Sequence, residues 1–249
     1  MIPFKLKKTL SVGGFFTVKH LKSVGSTNDF LKALPSRNAR EGFVVVADEQ
    51  TKGRGRFERR FFSPNGGLYF SILLSPNSPD VLDKLTVISA VATCDAVKAT
   101  CGDAATIKWV NDVLIDGKKC AGILVETTEN LKGFAVVGIG VNIGSVHADV
   151  QDIACGVTDK GKATRWELLA SILENFEKLY NNFDKIKIAE SYKQRCSTLG
   201  AKVKVVQNDG EEYIATAESL DEDCRLVVKD EKGVTHVLDS GEVKIVSTR

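Results

Sequence analysis

The residues best suited to chemistry crowd into one stretch, Gln50–Gly67, which reads QTKGRGRFERRFFSPNGG. Arg54, Arg56, Arg59 and Arg60 are planar cations that stay charged at any working pH. Gly53 and Gly55 beside them let the backbone approach a ligand closely. That combination suits an anion: a carboxylate, a phosphate, or both. Composition alone leaves two other readings open. One is a solvated surface loop. The other is a nucleic-acid contact, because Phe57, Phe61 and Phe62 are interleaved with the basic residues and could stack on bases. Further polar groups recur along the chain. Ser26-Thr27-Asn28 stands where a helix starts, so it reads as a cap whose hydroxyls and free N–H groups could also hold a ligand. Lys108-Trp109-Val110-Asn111-Asp112, then Lys119 and Gly122, then Gly138-Ile139-Gly140-Val141-Asn142 follow in order. The last is a weak G-x-G, without the third glycine of a dinucleotide fingerprint, and no G-x-x-x-x-G-K-[ST] phosphate loop is present.

Those groups need a frame. Phe15–Leu21 alternates as a strand. Ser26 caps a short helix carrying Phe30, Leu31 and Leu34, with Asp29 in its first turn and Pro35 beyond its end. Phe43–Ala47 and Leu68–Leu74 are apolar runs on either side of the arginine–glycine loop, so the loop joins two buried strands. Ser78-Pro79 opens a long apolar helix reaching Gly102. Thr106–Val110 is a strand. Val113–Ile115 and Cys120–Glu126 form a hairpin across Asp116-Gly117. Phe134–Asn142 is a further strand. Thr164-Arg165-Trp166-Glu167 is a capping box for a helix running to Phe183, and a second helix covers 186–198. After Gly200 the texture changes to five short alternating strands, a pattern of a small all-β barrel. The expected domains are therefore 1–199 and 200–249.

The chain has 249 residues, 43% of them hydrophobic, with 34 Lys plus Arg against 32 Asp plus Glu. Near neutrality argues against a dedicated nucleic-acid binder, so the basic cluster is local and fits a small anionic ligand. Six cysteines are scattered without a C-x-x-C pair, as in a reduced cytoplasmic protein. Three distant histidines form no metal spacing. No apolar run reaches the ~18 residues of a membrane span.

Taken together, Ser26-Thr27-Asn28, Gln50, Gly53-Arg54-Gly55-Arg56, Phe62-Ser63-Pro64 with Gly67, Lys108-Trp109-x-Asn111-Asp112, Lys119 to Glu126 and Gly138 to Asn142 resemble the biotin protein ligases. The likeness extends over nearly the whole chain. It departs from that family's G-R-G-R-x-G-R-x-W loop at Glu58, in place of glycine, and Phe61, in place of tryptophan. Val110 stands in place of the proline of K-W-P-N-D. The short stretch before the first strand implies the type without an N-terminal DNA-reading domain.

The resemblance implies an α+β fold, with a mixed, largely antiparallel central sheet flanked by helices and a small SH3-like C-terminal barrel. It implies ATP and biotin as substrates, Mg²⁺ as metal ion, and a biotin carboxyl carrier protein as acceptor. Lys119, Arg56 and Lys108 become the catalytic candidates. Ser26, Thr27, Asn28, Gln50, Gly53, Arg54, Gly55, Arg56, Lys119 and Gly122 become biotin-side residues. Arg54, Arg56, Phe61, Lys108, Asn111, Gly140 and Asn142, with Gly138, become nucleotide-side residues, and Asp112 the magnesium ligand. Neither nucleic acid nor a membrane is an expected partner, and monomer or homodimer both stay open. The alternatives are a biotin sensor that has lost catalysis through Glu58 and Phe61, and a lipoate–protein ligase sharing the adenylation chemistry.

Overall fold

A computed structural model describes residues 14–102, 105–144, 146–157, 164–206, 210, 212–239 and 242–246. Seven strands form the larger sheet: β1 (Thr17–Val24), β2 (Phe43–Gln50), β3 (Leu68–Leu74), β4 (Ala105–Lys108), β5 (Asp112–Ile115), β6 (Lys118–Thr127) and β7 (Ala135–Val141). Their spatial order is β1-β2-β3-β7-β6-β5-β4. Only β1 and β2 run parallel, and every other neighbour pair is antiparallel, so the sheet is mixed as the resemblance implies.

Local chemistry explains the boundaries. Ser26 Oγ accepts from Asp29 N–H and starts the short helix α1 (Thr27–Lys32). Ser78 caps α2 (Pro79–Cys101), whose first residue is proline and whose end is Gly102 at φ 80°. Asp116 and Gly117, at φ 49° and 78°, make the two-residue turn that joins β5 to β6. Thr164 and Glu167 satisfy each other's backbone N–H groups at the start of α3 (Arg165–Asn181), and Asp184 caps α4 (Lys185–Arg195).

One face of the sheet packs on α2 and α3 and holds the main core, including Phe70, Ile72, Leu85, Ile88, Val137, Leu169 and Phe176. The other face carries a smaller core beneath α1, built on Leu31, Val45, Leu73, Leu131 and Val136. The C-terminal strands β8 (Lys202–Val206), β9 (Glu212–Leu220), β10 (Leu226–Asp230), β11 (Thr235–Leu238) and β12 (Glu242–Ile245) form an antiparallel sheet ordered β11-β10-β9-β8-β12. Among the described residues β11 and β12 are its two free edges, so the sheet is open where a barrel would close. Its inward residues Val203, Val205, Ala215, Ala217, Leu226 and Val228 join the main core.

Candidate active site

The arginine–glycine loop folds into a small hairpin above the sheet. Gly55 N–H donates to Arg59 O at 2.7 Å and Phe61 N–H to Gly53 O at 3.0 Å. A side chain at Gly53 would sit 2.5 Å from Phe61 O and 2.6 Å from Ser63 Oγ, so that glycine is required for the hairpin to close. Beneath it lies a cavity of about 230 Å³, lined from the loop, α1, and the middle strands. Its floor is small-residue sheet. Gly122 pairs with Gly140 across β6–β7, and Ser71 pairs with Gly138 across β3–β7. Phe61 lies against this floor, so that a side chain at Gly140 would meet its ring at 2.6 Å.

Ser26, Thr27, Asn28, Gln50, Arg54, Gly55, Arg56, Phe61, Lys108, Asn111, Asp112, Lys119, Gly122, Gly138 and Gly140 all line this one cavity. Gly53 and Asn142 do not. Gly53 supports the hairpin, and Asn142 anchors the backbone under Lys119, its N–H donating to Cys120 O at 2.8 Å and its amide to Lys119 O at 3.4 Å. Trp109, Ile123, Leu124 and Ile139, motif residues with no ligand role expected of them, also line the cavity, as do Phe70 and Val243, which no motif marks. They are apolar, and nothing in their local pattern separates a cavity wall from ordinary core.

Six cations face the cavity, Arg54, Arg56, Arg59, Arg60, Lys108 and Lys119, against one carboxylate, Asp112. They are not equivalent. Arg54 is engaged: its fork meets Asp29 at 2.7 and 3.2 Å, and Nη2 lies 3.3 Å from Glu126. Burial alone would lower the Arg54 pKa, but the Asp29 hydrogen bond and the Asp29 and Glu126 charges raise it. Its first task is therefore to tie the loop to α1 and β6, a departure from the anion-holding role inferred from sequence. Burial alone would likewise raise the Glu126 carboxyl; hydrogen bonds from Lys32 and Asn28, with the charges of Lys32 and Arg54, hold it below the usual range. Arg56 is different. Among the described residues it makes no ion pair, and its guanidinium lies 4.9 Å from the exposed ring of Phe57. Burial pushes its pKa down, opposed by the charge of Asp112. A partly buried cation without a partner is costly, and an incoming anion relieves the cost.

Lys119 reaches the cavity because of a backbone irregularity. The β5–β6 register shifts between Val113 and Leu114, so Leu114 faces Lys119 and Val113 faces Ala121. Cys120 is the extra residue. This bulge turns Lys119 onto the same face as Asp112 and Gly122. Lys119 Nζ then pairs with Asp112 Oδ1 at 2.6 Å and lies 5.8 Å from the centre of the Phe61 ring. The chain end of Lys119 also passes within 3.1 Å of where a Gly122 side chain would be, so the strand glycine makes room for the lysine itself. Asn111, in the cavity wall, donates its amide to Ile123 O at 2.8 Å. Gln50 accepts from Thr27 N–H at 2.9 Å and donates to Ser63 at 3.0 Å, which links the helix start to the loop.

The chain has relatives among known proteins. Residues 21–143 match the family described as Biotin/lipoate A/B protein ligase, and residues 198–245 match the Biotin protein ligase C terminal domain. The chain is 33% identical over 230 residues to the Bifunctional ligase/repressor BirA of Bacillus spizizenii, covering 86% of this chain and 70% of that protein. The chain belongs to the biotin protein ligase family. It spans 52% of the length of the Bacillus subtilis BirA, at 36% identity over 64% of this chain. The Biotin–[acetyl-CoA-carboxylase] ligase of Mycobacterium tuberculosis is 29% identical, with 88% of this chain and 85% of that protein covered. Among solved structures, the Aquifex aeolicus biotin protein ligase in complex with biotin and ATP superposes with a TM-score of 0.76 at 28% identity, covering 93% of this chain and 99% of that one. Against this family, Glu58 is exposed, as its charge requires, and occupies a left-handed backbone conformation at φ 54°, which the family's glycine would adopt without strain.

Proposed function

We propose that this protein is an ATP-dependent biotin protein ligase that activates biotin as biotinyl-5′-AMP and transfers it to a lysine of a carboxylase's biotin carrier. The observation that carries the reading is the strongly cationic cavity, with Arg56 unpaired within it, in a chain of this family. The match of residues 198–245 to a biotin protein ligase domain favours biotin over lipoate.

In the first step a biotin carboxylate oxygen attacks the α-phosphorus of ATP. The bond to the bridging oxygen breaks, and pyrophosphate leaves. Two anions meet and charge grows on the α-phosphate oxygens, so fixed cations stabilise the transition state more than the separated substrates. Arg56 and Lys119 take that role, with Lys108 beside them. Lys119 bridges carboxyl and α-phosphate once Asp112 releases or shares it. Ser26, Thr27, Asn28 and Gln50 hydrogen-bond the uncharged part of biotin. Phe61, lying against Gly140, receives the nucleoside with Asn111 at its edge, while Gly138 seats Asn28 on the biotin side. In the second step a neutral lysine ε-amine of the carrier attacks the anhydride carbonyl, AMP leaves, and the amine sheds a proton. The mixed anhydride is water-sensitive, and the loop held by Arg54 shields it.

Magnesium fits this site only as a companion of the nucleotide. No cluster of three His, Cys, Asp or Glu residues is present among the described residues. Mg²⁺ commonly uses one or two carboxylates together with substrate phosphates. Asp112 supplies one, and the ion would neutralise phosphate charge there. All six cysteines are free, and no helix among the described residues is long and apolar enough to cross a membrane. A cytoplasmic location, with the carrier as the protein partner and no nucleic-acid partner, belongs to the same proposal. Purified protein with ATP, Mg²⁺, biotin and an apo carrier domain should give a streptavidin-reactive carrier. Tight biotin binding without labelled carrier would instead support the sensor alternative.

A further inference from the structure

The segment Lys108–Asp112, which lends Lys108, Trp109, Asn111 and Asp112 to the cavity, is held from behind by residues outside the cavity lining. Trp109 N–H donates to Thr198 Oγ1 at 2.9 Å, and the buried indole Nε1–H donates to Cys224 O at 2.9 Å. Tyr192 Oη, from α4, donates to Val110 O at 3.0 Å. Cys224 belongs to the turn between β9 and β10, where it takes a left-handed conformation at φ 59°. Its carbonyl direction therefore depends on how that turn is fixed. Asp221 shapes the turn from within, its Oδ1 accepting from the Asp223 and Arg225 N–H groups at 2.9 Å each, and Asp223 fastens the shaped turn to the helices. Asp223 Oδ1 lies 2.9 Å from Lys84 Nζ on α2 and 2.7 Å from Lys185 Nζ on α4. Lys84 is only 5% exposed, an expensive place for an ammonium unless it is paired. Among the described residues the buried lysine thus has one carboxylate to satisfy it, and that carboxylate sits next to the carbonyl that holds Trp109.

We infer that Asp223 is a positioning residue for the nucleotide half of the site. Held by Lys84 and Lys185, it sets the Cys224 carbonyl, which orients Trp109 and with it Lys108, Asn111 and Asp112. The C-terminal sheet thereby acts on catalysis through the β9–β10 turn, besides lending Val243 to the cavity wall. The biotin half, built on α1, Gln50 and the loop, has its own hydrogen-bond network and shares none of these contacts. The two halves should therefore respond separately.

This inference rests on the ligase reading above, and its test keeps the two apart. Biotin-dependent exchange of labelled pyrophosphate into ATP is measured for the wild-type protein, Asp223→Ala, Asp223→Glu and Thr198→Val, with biotin affinity measured by calorimetry without ATP. A wild type that catalyses no exchange would overturn the ligase reading itself. If wild type is active, Asp223→Ala and Thr198→Val should raise KM for ATP about tenfold, the scale of one lost or orphaned buried hydrogen bond. Biotin affinity should stay within about twofold, and Asp223→Glu should restore most of the loss, since it keeps a carboxylate for both lysines. Equal losses toward ATP and biotin, or no loss toward either, would overturn the positioning role. Should Asp223→Ala not fold, Thr198→Val tests the same segment from its other support, and a wild-type KM for ATP there would overturn it equally.

Discussion

Gly138→Ala probes how the helix start is seated on the sheet. Gly138 faces the side chain of Asn28. A methyl group there would fall on Asn28 Oδ1, with Asn28 Cγ at 2.9 Å and Nδ2 at 3.0 Å. Asn28 cannot yield by a small shift, because it is buried and bonded on both ends of its amide. Its Nδ2 donates to Glu126 Oε2 at 2.7 Å, and its Oδ1 accepts from Ser71 at 2.6 Å. Displacement loses one charge-assisted and one neutral hydrogen bond, together about 2–4 kcal/mol. Replacing glycine by alanine returns about 0.4–1 kcal/mol through the unfolded chain. The net loss should be about 1–3.5 kcal/mol, read from denaturant unfolding. Biotin affinity should fall as well, because Asn28 lines the cavity and Glu126 anchors Arg54. Gly25→Ala is the matched control. Nothing lies within 4 Å of the methyl group it would add, so it should change stability by less than about 0.5 kcal/mol. A Gly138→Ala protein with wild-type unfolding and wild-type biotin affinity would refute the seating argument.

Three further perturbations test other parts of the account. Phe61→Ala removes the ring lying on Gly140 and should raise KM for ATP more than KM for biotin; equal changes in steady-state kinetics would count against nucleoside stacking. Glu58→Gly removes a side chain from a left-handed position, so denaturant unfolding should show stability retained or raised by about 1 kcal/mol, whereas a clear loss would mean the Glu58 side chain contributes more than its exposed position suggests. Acid titration of stability follows from Glu126 and Asp48. Burial alone would raise both carboxyls, but Lys32 and Asn28 on Glu126, and His20 and Arg165 on Asp48, hold them below their ordinary 4.5 and 3.8. A depressed folded-state value means the unfolded chain binds the proton first. Their stabilisation is therefore present above about pH 4.5 and lost as pH falls below it, and Glu126→Gln should flatten that part of the unfolding-versus-pH curve.

The strands and caps were legible because their signals are local. Asp116-Gly117, Ser26, Ser78-Pro79 and the Thr164–Glu167 box each act within a few residues. The composition of the cavity was legible too, since a cluster of arginines with glycines has few structural uses. What sequence did not disclose were arrangements fixed across the fold. The engagement of Arg54 by Asp29 and Glu126 depends on bringing residues 25 and 72 positions apart together. The bulge at Cys120 that aims Lys119 has no sequence mark, because cysteine suits a regular strand equally well. Gly53 and Asn142 share motifs with ligand-facing neighbours yet point into supporting structure. Trp109 looked like part of a binding motif, while its N–H groups are committed to Thr198 and Cys224.

The central claim is that the cationic cavity, with Lys119 aimed into it, adenylates biotin. Its most direct test is exchange of labelled pyrophosphate into ATP, with and without biotin, by the wild-type protein and by Lys119→Ala. The account predicts exchange that requires biotin and falls at least ~10²-fold in the variant, the scale of removing one preorganised donor at developing charge. Exchange that proceeds at a near-wild-type rate without Lys119, or that ignores biotin, would contradict it.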